Sequence, residues 1–304
     1  MEQAADIKQV ENLSAYRKRK LFYDKCGRYL FIAAACLMTL IIFSIIFFVG
    51  KQGLMTFTAV SPPEFFFSAK WDPTENNFGA LSFIIGSFLS TMLAVAIGTP
   101  LGLSGAIFLE KAAPTFLKNI LRHAVNLYVA IPSVIYGYIG LILLVPFLRK
   151  TFHVATGFGL LAASLVLAIM IMPTILSVSA DALNSVPKSL EEASLALGAT
   201  RWQTISKVIV PAAAPGILTA IILALARAIG ETMAVQMLIG NTPRLVDSLF
   251  TPTATLTGNI VVEMGNTPFD SVWGNSLFLM ALVLLLISVG MIISIRYFAA
   301  RKAA

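Results

Sequence analysis

"VPKSLEEASLALGATRWQTISKVIVPAAAPG", residues 186–216, contains two helix starts and one helix stop between two apolar runs. Ser189-Leu-Glu-Glu192 fits the S-x-x-E capping box. There the serine hydroxyl takes an amide of the first turn while the glutamate reaches back to the cap amide. Gly198 marks the stop, because glycine most readily takes the left-handed conformation of a helix end. Thr200-Arg-Trp-Gln203 is a second capping box, opening a helix in which Trp202, Ile205 and Ile209 are spaced for one face. Pro211 and Pro215 punctuate the approach to the following apolar run. The stretch reads as helix, glycine hinge, helix.

The flanking runs set the fold class. Spanning a bilayer by helix takes about 20 mostly apolar residues. Six segments meet that length: 29–49, 79–109, 124–147, 157–180, 216–239 and 277–295. The expectation is an all-α polytopic membrane protein with six transmembrane helices. The second segment is overlong, and Pro100 in "GTPLGLSG" (98–105) predicts a kink or a bent extension. In the third, "AIPSVIYGYIG" (130–140), Pro132 predicts a kink and the small residues permit close helix packing.

Composition agrees. The chain of 304 residues is 58% hydrophobic and 12% charged, far from the balance of a soluble domain. Its net charge of +7 is distributed by topology rather than gathered in a nucleic-acid patch. Sixteen of the 22 Lys and Arg fall in the tail 1–28, the segments after the second and fourth spans, and the C-terminal end including 298–304. Five lie in the alternate segments, and Arg227 lies inside a span. The positive-inside rule then puts both termini on the cytoplasmic side. No cleavable leader is expected, since the first 28 residues are polar and the run after them is too long. Cys26 and Cys36 are too few for a metal site, and His123 and His153 are isolated.

Between its tails the chain forms one permease region, 29–297. Two segments on the external side are long enough to fold. Residues 50–78, with "SPPEFFFSAKWDPTENN", predict a structured cap on the membrane surface, and 241–276 predict a short interfacial helix between turns. The cytoplasmic loop 181–211 holds the capped helices.

That loop resembles the conserved loop of ABC importer permeases, written E-A-A, three residues, Gly, nine residues, Ile-x-Leu-Pro. Here it reads Glu192-Ala193-Ser194, Gly198, then Val208-x-Val210-Pro211 with every spacing kept. Serine replaces the second alanine, and valine replaces Ile and Leu. The resemblance implies a type I ABC importer permease fold, with a coupling helix in which Glu192, Ala193, Ser194 and Gly198 serve docking onto an ATPase subunit. No G-x-x-x-x-G-K-[ST] sequence is present, so ATP and Mg are expected in a partner chain and no cofactor in this one. "KWDPTENNFGALSFIIGSFLSTMLAVAIGTPLGLSGAIFLEK", "AIPSVIYGYIGL" and "ALARAIGETMAV" narrow the resemblance to permeases of bacterial phosphate-specific importers, and "WDP…FGAL" to their C-type subunit. The similarity runs from about residue 20 to the end. It implies a heterodimer with an A-type phosphate permease, two copies of an ATP-binding subunit and an extracytoplasmic phosphate-binding protein. It also implies a bacterial inner membrane as the bilayer environment and no nucleic acid.

One feature of the fifth segment resists a purely apolar reading. "LALARAIGETMAV" (223–235) holds Arg227 and Glu231 four residues apart. A continuous helix over 216–239 puts Arg227 near the bilayer midplane, where a lone arginine costs from about 2.5 to above 10 kcal/mol. It also puts Glu231 one turn away on the same face, able to pair with it. The plain alternative is a packing ion pair, but buried pairs are often neutral against apolar replacements. The functional reading is a substrate path. The planar guanidinium suits an oxyanion, Glu231 restrains it or meets a protonated oxygen, and Thr232 adds a hydroxyl. Sulfate or molybdate would satisfy the same contacts. A proton-coupled secondary transporter with Glu231 as proton carrier is the competing class, and the 189–211 loop argues against it.

Overall fold

The computed structural model describes residues 2–268 and 270–303. The side chains of residues 1–22 and 298–304, which include most of the basic tail, lie outside what it describes. The chain divides into two units, one ending at Lys51 and one beginning at Gln52. Helix α1 (Glu2–Leu54) carries the first expected span within Lys25–Thr58. Apolar residues from Leu30 to Phe48 recur on every face of the helix, as in a segment long and apolar enough to span a bilayer.

From Gln52 on, in the second unit, the segment 50–78 is folded, as its prolines and aromatics predict. A 3₁₀ turn (Met55–Thr58), helix α2 (Pro62–Phe67) and a two-stranded hairpin, β1 (Trp71–Asp72) and β2 (Asn77–Phe78), follow in order. The antiparallel register sets Trp71 opposite Phe78 and Asp72 opposite Asn77. Asp72 caps the hairpin turn, accepting from the Thr74 amide at 3.0 Å and its hydroxyl at 2.6 Å. The hydroxyl bond holds the Asp72 carboxyl below its ordinary range. Trp71 stands edge-on to Phe78 and to Phe83, at 5.5 and 5.4 Å.

Segment 241–276 contains the expected short helix, α13 (Leu256–Met264). Its Glu263 joins the segments 50–78 and 241–276. Trp71 Nε1 donates to Glu263 Oε1 at 2.8 Å, and Trp273 Nε1 donates to Oε2 at 2.7 Å. Glu263→Ala is expected to cost about 2–4 kcal/mol, two hydrogen bonds to one charged acceptor. Acrylamide quenching of tryptophan fluorescence, rising in the variant, checks it.

Helix α3 (Leu81–Ile107) descends from this cap, passing Pro100 without a break; the irregularity is a π-helical turn at its end, Phe108–Ala112. It packs along α7 (Leu160–Asn184), the fourth span, which runs four residues beyond the expected end. A Cβ at Gly98 would lie 3.1 Å from Ile171 Cγ1, and one at Gly102 would lie 2.8 Å from Ile175 Cβ. Absence of side chains at these two positions is what lets α3 and α7 close. Helix α14 (Val272–Ala303) supplies the last span.

Two expected spans are revised. The third does not start at 124 and is not kinked at Pro132. Helix α4 (Thr115–Val129) ends first, and α5 (Ser133–Ile139) begins with Pro132 as its cap, continuing through a π turn into α6 (Val145–Phe152). Proline lacks an amide and biases the preceding residue away from helix, so the chain breaks there and restarts. The spanning stretch is Ser133–Phe152. The fifth is not one helix over 216–239. It is α11 (Ala214–Gly230) and α12 (Met233–Ile239), interrupted at Glu231, whose backbone is extended (φ −71°, ψ 125°).

Among the described residues, five helices are long and apolar enough to cross a membrane alone. A sixth candidate is the pair Arg201–Ala212 and Ala214–Gly230, bent by 68°.

Candidate functional site

The loop 181–211 forms two helices around a glycine, but only one of its two boxes closes. Helix α8 (Lys188–Ala196) begins at Lys188 with Pro187 as cap residue, and no side chain caps it. The expected Ser189–Glu192 box is therefore not made: the helix starts from Pro187, two residues before the expected cap, leaving Ser189 inside the first turn. At the other end, Gly198 takes φ +83°. Its amide donates to Leu195 O at 2.9 Å, and that of Ala199 donates to Ser194 O at 3.2 Å. This pair of bonds is the Schellman termination.

Helix α9 (Arg201–Thr204) has the second box complete. Thr200 N donates to Gln203 Oε1 at 2.9 Å, and Gln203 N to Thr200 Oγ1 at 3.3 Å. The single face expected for Trp202, Ile205 and Ile209 is split. A π turn over Ile205–Ile209 changes the spacing, so Ile209 is buried among Leu109, Leu183 and Ile217 while Trp202 is 66% exposed. Ser194 and Thr204 hydroxyls meet at 3.0 Å and pin the two helices together. Glu192 and Ala193 are exposed, and Leu197, beside the glycine, is 89% exposed. The result is a rigid corner presenting an apolar tip.

The membrane charges are arranged differently from the expected pair. Among the described residues Arg227 and Glu231 form no ion pair. Arg227 Nη1 donates to Thr174 Oγ1 at 3.3 Å, a hydroxyl in the middle of α7. Glu231 turns to the second half-helix, where its Oε1 accepts from Ala234 N at 3.3 Å. Its backbone carbonyl takes the Thr257 hydroxyl at 3.4 Å. Thr232 donates to Gly230 O at 3.3 Å. The same-face geometry failed because it assumed helix between the two residues. Once Gly230, a poor helix former, is followed by an extended Glu231, the carboxylate serves α12.

Thr174 is the residue that sequence reasoning missed. A threonine in an apolar span normally bonds its own helix, so nothing local marks it. Arg227 thus carries its positive charge half-buried, held by a neutral acceptor with donors to spare. Thr174→Val is expected to lower transport about three- to tenfold, the worth of a hydrogen bond of ~1 kcal/mol. Thr174→Ser should retain it, with uptake by the assembled transporter as the measurement.

Known proteins place this geometry in a family. Residues 98–303 match the family described as "Binding-protein-dependent transport system inner membrane component". The chain is 48% identical to the "Probable ABC transporter permease protein YqgH" of Bacillus subtilis (strain 168), over 96% of each chain. It is 36% identical to the "Phosphate transport system permease protein PstC" of Mesorhizobium japonicum, over 87% of this chain and 86% of that one. In fold it is similar to a bacterial ABC transporter that imports the acidic polysaccharide alginate, with a TM-score of 0.61 and 15% identity, covering 93% and 99% of the two chains. The chain belongs to the binding-protein-dependent transport system inner membrane components, as a multi-pass, non-catalytic permease subunit of an ATP-binding cassette importer with the type I fold.

Proposed function

We propose that this chain and a second, A-type permease together form the membrane path for inorganic phosphate, working by alternating access. Two ATP-binding subunits supply the energy, and an external phosphate-binding protein delivers the anion. The observation that carries the reading is Arg227: a guanidinium in a membrane helix, anchored by the Thr174 hydroxyl instead of a carboxylate. A charge left unneutralised in a span is expensive unless an anion or water meets it, and its planar fork fits a phosphate edge. Thr232 and Glu231, at the break in the same span, complete the path, Glu231 by setting the start of α12 and by accepting from a protonated phosphate oxygen. Similarity to proteins named as phosphate permeases supports the choice of anion.

In this reading the α8–α9 corner, through Glu192, Ala193, Ser194 and Gly198, docks onto an ATP-binding subunit, and both termini face the cytoplasm. The structure brings Lys111 of the segment after α3 against Glu191 of the coupling loop, so two basic segments assigned to the cytoplasm share one end of the bundle.

The test is uptake of labelled phosphate by the whole importer in liposomes, with excess sulfate or molybdate as competitors. Uptake should require ATP and ignore both competitors. Equal competition by sulfate or molybdate would reassign the anion. Uptake driven by a proton gradient without ATP would sink the importer reading.

A further inference from the structure

Glu110 lies in the π turn that ends α3, and its side chain is only 2% exposed. Two cations of α4 reach this buried carboxylate. Lys118 donates to its Oε2, and Arg122 Nη2 donates to its Oε1 at 2.7 Å. Arg122 also stands 4.0 Å from Asp181, near the end of α7. The residue after Glu110, Lys111, donates to Glu191 Oε2 on α8 at 2.7 Å. One turn of chain therefore links α3, α4, α7 and α8 by charge. Between α8 and the α3–α4 turn lies an open cleft of about 510 Å³, and the Lys111–Glu191 pair bridges it.

Stability explains this cluster poorly, because buried ion pairs are often matched or bettered by apolar residues. What they add is a fixed, directional geometry. A π turn in an otherwise regular helix also tends to mark a working position. Below the cleft sits the corner that would move with the ATP-binding subunit. Above it, α3 packs along α7, which carries the Thr174 anchor of Arg227.

We propose that Glu110 is a positioning residue of the transport cycle: it locks the turn that carries Lys111, and the Lys111–Glu191 pair passes the movement of α8 to α3 and so to α7. The proposal rests on the docking of the α8–α9 corner onto an ATP-binding subunit. Its apolar neighbours (Leu109, Leu183, Ile209) make the base of the bundle solid, while the charge strut connects that base to α8 across the cleft.

The test uses the whole importer in liposomes with its binding protein, reading ATP hydrolysed per anion taken up. Lys111→Glu and Glu191→Lys should each raise that ratio about tenfold, and the double exchange should return it to near its starting value. Glu110→Gln should raise it likewise. If that variant does not assemble, the exchange pair decides, because both its side chains are partly exposed. Unchanged ratios in the two single variants overturn the proposal. So does a double exchange that restores nothing, since the residues would then not act as a pair. Loss of the ATP-binding subunits from the single variants overturns it too, for the pair would then hold the docking surface and transmit nothing. The docking reading fails on a separate result, an importer carrying Leu197→Asp that keeps its ATP-binding subunits.

Discussion

Arg227→Ala is expected to lower ATP-driven phosphate uptake by about 10- to 100-fold while leaving assembly of the importer intact. The magnitude corresponds to the loss of one charge-assisted contact to an anion in a low-dielectric path, about 1.5–3 kcal/mol. Stability should not fall with it. Among the described residues the half-buried guanidinium has the neutral Thr174 hydroxyl as its hydrogen-bond acceptor, so removing it relieves a burial cost and leaves that hydroxyl without this donor. Uptake and thermal stability therefore move apart, which a packing role for Arg227 does not allow. Arg227→Lys should fall between, keeping the charge but not the planar fork. Uptake by liposomes holding the purified complex, alongside its melting temperature, checks all three statements. Normal uptake by the alanine variant in an intact complex would remove Arg227 from the path.

Leu197→Asp is expected to release the ATP-binding subunits, weakening their hold at least about 30-fold, as when a central apolar anchor of an interface is lost. Leu197 is 89% exposed and sits at the end of α8, beside the left-handed Gly198. An exposed position makes the substitution nearly neutral for the folding of this chain, within about 0.5 kcal/mol. The effect therefore reports on the interface. Retention of the ATP-binding subunits on a tagged permease through purification is the measurement, with uptake and ATP hydrolysis as companions. An unchanged complex would show that the corner is not the docking surface.

Glu231 shows how far local reasoning carries. Four-residue spacing is a sound argument inside a helix and void outside one. The helix stops at Gly230, and the carbonyl of Glu231 is taken by Thr257, 26 residues further along the chain. No window of sequence around Glu231 contains that partner. Thr174 was invisible for the same reason: its bond to Arg227 joins residues 53 apart on different helices. Ser189 failed more narrowly, because Pro187 starts α8 ahead of it. Glu263, which ties Trp71 to Trp273, was also unmarked, since its acceptor role exists only when two loops meet.

By itself the sequence determined what depends on neighbours along the chain and on the solvent. Apolar runs of about 20 residues specified a polytopic helical protein, because backbone amides in lipid must be satisfied within their own segment. Thr200 and Gln203 specified a capped helix, and Gly198 a left-handed stop, because those bonds close within a few residues. Tertiary structure alone decided where the fifth span breaks, which hydroxyl holds Arg227, and which cations neutralise Glu110. Each of those depends on a donor or acceptor delivered from another helix, and only the packed bundle brings them within hydrogen-bonding reach.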